Sequence, residues 1–224
     1  MGDESGWSRR SILSLLAFGG SWAALSQSEA AELVSDDFSF IRTLDLSAEK
    51  ILESFPQGQR VGAENPDVTL VELFDYNCGF CRRAWRPLAD LMESDSRLAV
   101  YFVHFPILSP GSEVAAAIQH AVFLRDGALL ANQLHQALMT LSGRIDADRV
   151  HRVCETLGIK IPSERQIGDA RGLMLENRRH AGPLGIRYTP TFALADTTFI
   201  GWPGPKTMSD MIGQVRQCGR VQCS

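Results

Sequence analysis

The sequence has no strong excess of charge of either sign. Its 224 residues carry 22 lysines and arginines against 26 aspartates and glutamates, for a formal net charge of −4. This mild acidity gives no electrostatic support for binding nucleic acid or an anionic membrane surface. Repeats and low-complexity tracts are absent too. With 45% hydrophobic residues, the chain has the composition of a globular protein, either one large domain or a domain with an inserted subdomain.

Several catalytic and binding motifs are also missing. The five histidines show no metal-binding spacing such as HExxH, so each is expected to pack or to lie on a helix surface. The stretch GWPGPK from Gly201 lacks the spacing of a nucleotide-binding glycine loop. No apolar run beyond the N-terminus is long enough to span a bilayer. The histidines and the glycine stretch therefore predict neither a histidine-based metal site nor a nucleotide site.

The N-terminus has the composition of an export signal. Arg9 and Arg10 precede an apolar run over residues 12–25, and small residues offer a cleavage site before Ala31. The order SRRSIL resembles a twin-arginine signal, and a general secretory signal with two arginines is the alternative. An amphipathic or buried first helix is the other interpretation. We expect residues 1–30 to be a cleaved signal that exports the protein, in a bacterium to the periplasm.

Export changes what the cysteines imply, because thiols tend to pair in an oxidising compartment. All of them lie after the expected signal: Cys78, Cys81, Cys154, Cys218 and Cys223. Five is an odd number, so at least one is left over. Cys78 and Cys81 form a C-x-x-C pair in the stretch FDYNCGFCRRAW.

A C-x-x-C pair is compatible with zinc, with a structural bridge or with a redox centre. A zinc site would need a second pair, and Cys218 with Cys223 is distant and has a four-residue gap, unlike zinc-ribbon spacings. A static bridge closing so small a loop would add only modest stability. The redox interpretation accounts for more of the surrounding sequence.

The local pattern favours a reactive first cysteine. Cys78 ends a predicted strand and opens a predicted helix, so its sulfur would face unsatisfied N–H groups of the first helical turn. Arg82 and Arg83 add positive charge. Such placement can lower a cysteine pKa from about 8.5 to roughly 3.5–7.5. We expect Cys78 to be an exposed nucleophile and Cys81, one turn into the helix, to be the covered resolving thiol.

Strand and helix patterns surround this pair. A helix is predicted from Ser47, a polar linker over residues 58–67, strands over 68–74 and 98–105, and a helix with an internal proline between those strands. The signals for helix ends predict continuous helices from Ser112 to Ala181, with Ser112, Asp146 and Ser163 as N-caps and Gly158 and Gly182 as stops. Two strands follow in TPTFALADTTFIGW, and a helix closes the chain. Each half is too small to bury a core alone, so we predict one sheet interrupted by a helical insertion.

These features together resemble the DsbA-like branch of the thioredoxin superfamily. The resemblance rests on FDYNCGFC, the proline in the following helix, the helical insertion and the distant YTPTF, and it covers the chain from about residue 60 to the last helix. It implies an α/β, thioredoxin-like fold with an inserted all-helical subdomain. The implied segments are an N-terminal arm (31–57), the domain (58–218, with halves of about 58–110 and 186–218 and an insertion of about 111–185) and a C-terminal tail (219–224).

The resemblance also implies the roles of the site residues. Cys78 and Cys81 would form the redox disulfide. The Thr189–Pro190 bond would be cis and would hold a substrate backbone beside the sulfurs. Phe80, between the cysteines, is a further candidate for substrate binding.

Glu72 lies six residues before Cys78 in an otherwise apolar strand. By resemblance it matches a buried acid that moves protons during exchange. A solvated strand position is the alternative, since an unpaired buried carboxylate is costly. Asp75 and Tyr76 are expected to shape the loop.

The implied activity is thiol–disulfide exchange with cysteines of exported proteins, with the protein as the oxidase. The disulfide itself carries the electrons, so no dissociable cofactor is needed, and the family implies a membrane redox partner. Gly79-Phe80 replaces the Pro-His of the best-known strong oxidants, and Thr189 resembles isomerase-type relatives as much as oxidases. An isomerase or reductase therefore stays open, as does a chaperone-like binding protein with a structural cysteine pair.

The tail sequence CGRVQC suggests a second bridge. Cys218 and Cys223 are near enough in sequence to pair, and Gly219 would let the chain fold back after the last helix. Cys154 would then stay unpaired as a small buried apolar group. Pairing of Cys154 with either tail cysteine is the alternative.

Overall fold

The computed structural model describes residues 33–34 and 40–223. The export signal predicted over residues 1–30 lies outside the described residues. The strands are β1 (Leu33–Val34), β2 (Phe40–Leu44), β3 (Gln59–Gly62), β4 (Val68–Phe74), β5 (Leu98–His104), β6 (Thr191–Leu194) and β7 (Thr197–Ile200). The helices are α1 (Ala48–Ser54), α2 (Gly79–Ser94), α3 (Pro110–Asp126), α4 (Ala128–Thr140), α5 (Ala147–Thr156), α6 (Glu164–Ala181) and α7 (Pro205–Cys218).

The strands join in one sheet with the order β1-β2-β7-β6-β4-β5-β3. β4 and β5 are parallel, and the other neighbouring strands pair antiparallel. β6 pairs directly with β4, with Thr191 opposite Leu73 and Phe192 opposite Glu72. The two halves of the domain therefore share one sheet, and the predicted α/β fold with an inserted helical subdomain is confirmed.

Within the predicted N-terminal arm, residues 40–57 are packed into the domain. β2 pairs with β7, and α1 follows its N-cap Ser47, where a helix was predicted to start. Ile51 and Phe55 are fully buried and pack against the face of β4 that carries Val71.

The polar linker predicted over residues 58–67 is wrong for residues 59–62, which form β3 beside β5. The strand was concealed because its inward side chain at Gln59 is polar. Gln59 is buried, and its amide exchanges two hydrogen bonds with the amide of Gln119 on α3. Mutual pairing satisfies both amides without water.

The insertion consists of α3, α4, α5 and α6, with α3 packed against both α4 and α6. Asp146 and Ser163 cap α5 and α6 as predicted. The predicted cap of α3 is wrong by one turn, because Ser109 accepts the hydrogen bond from the N–H of Ser112 and Pro110 starts the helix. Proline fits a first helical position, where its missing N–H has no partner to lose.

The C-terminal tail is tied back to the domain. Gly219 ends α7 with a left-handed backbone (φ 77°), and a disulfide joins Cys218 to Cys223. Between them, Val221 is buried and donates its N–H to the Asp196 carboxylate in the β6–β7 turn. Cys154 is a fully buried free thiol on α5. Among the described residues, no helix is both long and apolar enough to cross a membrane.

Replacing both tail cysteines with serine should lower the free energy of unfolding by about 2 kcal/mol, because the bridge no longer restricts the unfolded chain. Denaturant unfolding followed by circular dichroism measures the effect. Either single replacement should match the double variant, because each breaks the same bond. Unfolding that is unchanged in all three variants would show that the bridge does not anchor the tail.

Candidate active site

The cysteine pair lies where β4 passes into α2. Cys78 is the N-cap of α2, and its N–H donates to the Asp75 carbonyl at 3.0 Å. The Asp75 carboxylate in turn accepts hydrogen bonds from the N–H groups of Asn77, Ile107 and Leu108. The buried carboxylate therefore shapes the loop, as predicted, and holds Cys78 at the start of the helix.

Both cysteines are free thiols in this structure, and both are buried. Cys81 is fully covered in the first turn of α2, as expected. The expectation that Cys78 is exposed is wrong, because only 4% of its surface is accessible. The segment before β6 accounts for part of this cover.

The Thr189–Pro190 peptide bond is cis, as the resemblance implied. The Thr189 carbonyl oxygen lies 3.2 Å from the Cys78 sulfur and accepts a hydrogen bond from its thiol. Pro190 is buried, and its carbonyl accepts a hydrogen bond from the N–H of Gly201. A segment distant in sequence thus faces the first cysteine directly.

The pKa values of the two thiols shift in opposite directions. The pKa of Cys78 is lowered from 9.0 to about 6, chiefly by a hydrogen bond from the Cys81 thiol. The side chain of Thr189 and the N–H groups of Cys81 and Phe80 also lower it, against the effect of burial. Burial raises the pKa of Cys81 well above 9.0, and its hydrogen bond to Cys78 and the charges of Cys78 and Glu72 act in the same direction. At neutral pH Cys78 is a thiolate and Cys81 keeps its proton.

The neighbouring arginines contribute less to this acidity than the sequence suggested. The Arg82 guanidinium donates to the Tyr76 carbonyl at 2.6 Å and to carbonyls of the 141–143 segment. Arg83 stacks on the Phe80 ring, 4.4 Å from its centroid. The lowered pKa of Cys78 therefore comes mainly from hydrogen bonds at the start of α2 and from Thr189.

Glu72 is fully buried, so the interpretation as a solvated strand residue is wrong. Neither carboxylate oxygen has a hydrogen-bond partner. Burial, and secondarily the charge on Cys78, raises its pKa from 4.5 to about 8. An acid with that pKa can gain or lose a proton close to neutral pH, and its charge acts on Cys81 as well.

Apolar side chains stand exposed around the buried sulfurs. Phe80 and Tyr188 are each 57% exposed, and Leu108 is 53% exposed. Phe80 is the predicted substrate-binding candidate, whereas Leu108 was missed and Tyr188 was noted only as part of YTPTF. A cleft of about 420 Å³ adjoins the loop and is lined by Asn77, Arg82, Leu108, Ser109, Gly143 and Arg144.

Three of the histidines pack beneath the loop and were not recognised as a group: His104, His120 and His135. The His135 ring hydrogen-bonds through Nδ1 to the buried Tyr76 hydroxyl at 3.0 Å. Burial lowers the pKa of His135 to about 3 and that of His120 to about 4, so both are neutral at physiological pH. Within residues 33–34 and 40–223, no three side chains of the metal-binding types are placed to hold an ion.

Comparison with solved structures identifies the fold. A thioredoxin-like oxidoreductase from Silicibacter pomeroyi DSS-3 matches 75% of this chain and 98% of its own, at 27% identity and a TM-score of 0.65. A periplasmic thioredoxin-like protein from Salmonella enterica serovar Typhimurium covers 75% of this chain and 97% of its own (22% identity, TM-score 0.68). The thiol-disulfide exchange protein alpha-DsbA2 from Wolbachia pipientis covers 75% and 92% (21% identity, TM-score 0.65).

No family model and no curated protein sequence matches the chain. The structural matches and the site together define its class, the thiol–disulfide oxidoreductases of thioredoxin fold. Its fold is also similar to that of the DsbA-like protein among these structures.

Reduced protein should react with iodoacetamide at Cys78, because the thiolate is the nucleophile. The rate should rise with pH around a midpoint of about 6, the pKa of Cys78. Cys81 and Cys154 should stay unlabelled at pH 7, because burial raises the pKa of each, that of Cys154 to about 11. Mass spectrometry of the labelled peptides provides the measurement, and labelling of Cys81 before Cys78 would contradict this assignment.

Replacing Glu72 with glutamine should stabilise the protein by about 3 kcal/mol at pH 7. Folding raises the pKa of Glu72, so above the unfolded pKa the acid ionises more readily in the unfolded state and destabilises the fold. Glutamine cannot ionise and avoids this cost. In the wild type, the contribution of protonated Glu72 to the free energy of unfolding is fully present below pH 4.5 and is lost as pH rises towards about 8. The variant should lack this slope, which denaturant unfolding at several pH values measures. Glu93→Gln, at an exposed position on α2, is the control and should leave the slope in place. A slope that survives in Glu72→Gln would disprove the assignment.

Proposed function

We propose that the protein is an exported oxidase that transfers its Cys78–Cys81 disulfide to cysteine pairs of other exported proteins. The observation that carries this proposal is the pairing of a thiol of lowered pKa, Cys78, with a thiol of raised pKa, Cys81, at the start of α2. The pair lies beside the cis Thr189–Pro190 bond. A structural bridge in a chaperone-like protein would need neither the acidity difference nor the buried acid.

The exchange has two steps. A client thiolate attacks the Cys78 sulfur of the disulfide, and Cys81 leaves and takes a proton from Glu72, whose pKa of about 8 keeps it protonated at neutral pH. A second client thiolate then attacks the client sulfur of the mixed disulfide. The client gains a disulfide, and its two electrons pass to the protein, whose cysteines are left as the Cys78 thiolate and the Cys81 thiol.

The acidity of Cys78 supports the oxidising direction. A stabilised thiolate favours the reduced pair, and a pair that is stable when reduced is a strong oxidant when it is a disulfide. The pKa of about 6 lies below the value of about 7 for thioredoxin and above that of about 3.5 for the strongest oxidants.

The exposed apolar side chains support an unfolded polypeptide as the client. Phe80, Leu108 and Tyr188 can contact apolar residues beside a client cysteine. The signal pattern over residues 1–30 supports export, and the similar Salmonella protein is described as periplasmic. After each turnover the thiols need an electron acceptor, for which we propose a membrane redox partner.

The reduction potential and standard assays test the direction. For an oxidase we expect a potential more positive than that of thioredoxin, about −270 mV, and closer to that of the strong oxidants near −120 mV. The protein should oxidise reduced ribonuclease faster than it unscrambles the misbridged form. A potential at or below about −270 mV with rapid insulin reduction would favour a reductase, and rapid unscrambling would favour an isomerase.

Replacing Cys81 with serine should trap mixed disulfides, because the Cys78 thiolate can still attack a client disulfide in the reverse direction and no Cys81 thiol is left to release the client. Pro190→Ala should also accumulate such complexes, because the residue follows Thr189, whose carbonyl oxygen lies 3.2 Å from the Cys78 sulfur. Cys78→Ser should trap nothing. Non-reducing gels of periplasmic extracts show the complexes, with Cys154→Ser as the control that should behave as wild type. A Cys81→Ser protein that traps no client would contradict the proposed exchange.

A further inference from the structure

The helical insertion is hydrogen-bonded to the active-site loop through Asn77, the residue before the first cysteine. The Asn77 amide oxygen accepts the N–H of Ile145 at 2.7 Å, and its amide nitrogen donates to the Ile145 carbonyl at 3.0 Å. The same nitrogen lies 3.0 Å from the Ser109 hydroxyl and 3.2 Å from the Ser112 hydroxyl. One side chain thus binds the start of α3 and the α4–α5 connection together.

The insertion side of this contact leaves little room for adjustment. Ile145 and Ser112 are fully buried. The Ile145 carbonyl oxygen passes so close to α3 that a side-chain carbon at Gly111 would lie 2.1 Å from it. Only glycine fits at position 111, because any side chain there would overlap the Ile145 carbonyl oxygen. The peptide that Asn77 binds is therefore fixed between α3 and the loop.

A short path leads from this contact to the nucleophile. The N–H of Asn77 donates to the Asp75 carboxylate at 2.7 Å, and the N–H of Cys78 donates to the Asp75 carbonyl at 3.0 Å. Arg82 reinforces the contact by joining the Tyr76 carbonyl to carbonyls of the 141–143 segment. The conformation of residues 75–78 therefore depends on where the insertion lies.

We propose that Asn77 is a positioning residue through which the helical insertion fixes Cys78 at the start of α2. The proposal rests on the proposed function only in taking Cys78 as the nucleophile. Without the Asn77 amide, the N–H and carbonyl of Ile145 lose their partners inside the protein, and the loop is released from the insertion. The Cys78 sulfur then meets the N–H groups of α2 and the Cys81 thiol less well aligned, so its thiolate is less stabilised.

Asn77→Ala removes none of the titratable groups around Cys78: Cys81, Glu72, Asp75 and Arg82. A change in the acidity of Cys78 therefore reports the alignment of the loop and not the loss of a charged group.

The test is the pH dependence of iodoacetamide labelling at Cys78 in fully reduced protein. In Asn77→Ala the midpoint should rise above the wild-type value by about one pH unit, which at acidic pH means about tenfold slower labelling. Ser112→Ala removes one partner on the insertion side and leaves the loop sequence intact. It should shift the midpoint in the same direction by less.

Asn177→Ala is the matched control. Asn177 is also a buried asparagine that ties the insertion to the sheet, with its amide donating to the His104 carbonyl at 2.9 Å. Its loss should lower the melting temperature and leave the labelling midpoint unchanged. A folded Asn77→Ala protein with the wild-type midpoint overturns the proposal. If that variant does not fold, an unchanged midpoint in Ser112→Ala overturns it.

Labelling needs no client and no redox partner, so this result is independent of the proposed oxidase activity. A shifted midpoint in Asn77→Ala together with a wild type that exchanges no disulfides would support the positioning role and reject the oxidase. Normal exchange by the wild type with no shift in the variants would do the reverse.

Discussion

The antiparallel pairing of β4 with β6 is the constraint on which the site depends. β4 ends just before Cys78, and β6 begins just after Pro190, so their register decides what faces the first cysteine. With Leu73 opposite Thr191, the Thr189 carbonyl comes to lie 3.2 Å from the Cys78 sulfur. A shift of one residue would turn the side chains of β6 to the opposite face and remove this contact. The helical insertion can be long because both of its ends are held by this sheet.

Residues with strong local preferences made much of the fold predictable. The apolar run of β4, the C-x-x-C pair at a helix start and the Thr-Pro step before a strand identified the sheet and the two cysteines. The strand β3 was missed because Gln59 is buried through a partner on α3, sixty positions away. Arg82 was assigned to electrostatics, yet it serves chiefly as a hydrogen-bond donor to distant carbonyls. Neither Gln59 nor Arg82 has a local pattern that names its partner.

The region beneath the cysteines contains buried polar groups without hydrogen-bond partners, which lower the stability of a protein core. Glu72 has no hydrogen-bond partner for its carboxylate, and the Nε2 atoms of His104, His120 and His135 also have none in the structure. Each such group costs free energy when buried. Proteins commonly retain unfavourable groups of this kind where activity needs them. For Glu72, burial raises the pKa to about 8, which is the range that the proposed proton transfer to Cys81 requires. The histidines have no comparable link to the sulfurs beyond the bond from His135 to Tyr76.

The insertion gives the site properties that the sheet alone could not supply. Leu108 precedes α3 and belongs to the exposed apolar side chains, while Gly143 and Arg144 line the neighbouring cleft. His135 on α4 covers the Tyr76 ring, and Ile145 binds Asn77. The proposed client surface and the proposed alignment of Cys78 therefore have a common origin in the placement of these helices. Helix substitutions that move the α4–α5 connection would alter both together, whereas substitutions at Phe80 or Tyr188 would alter the client surface alone.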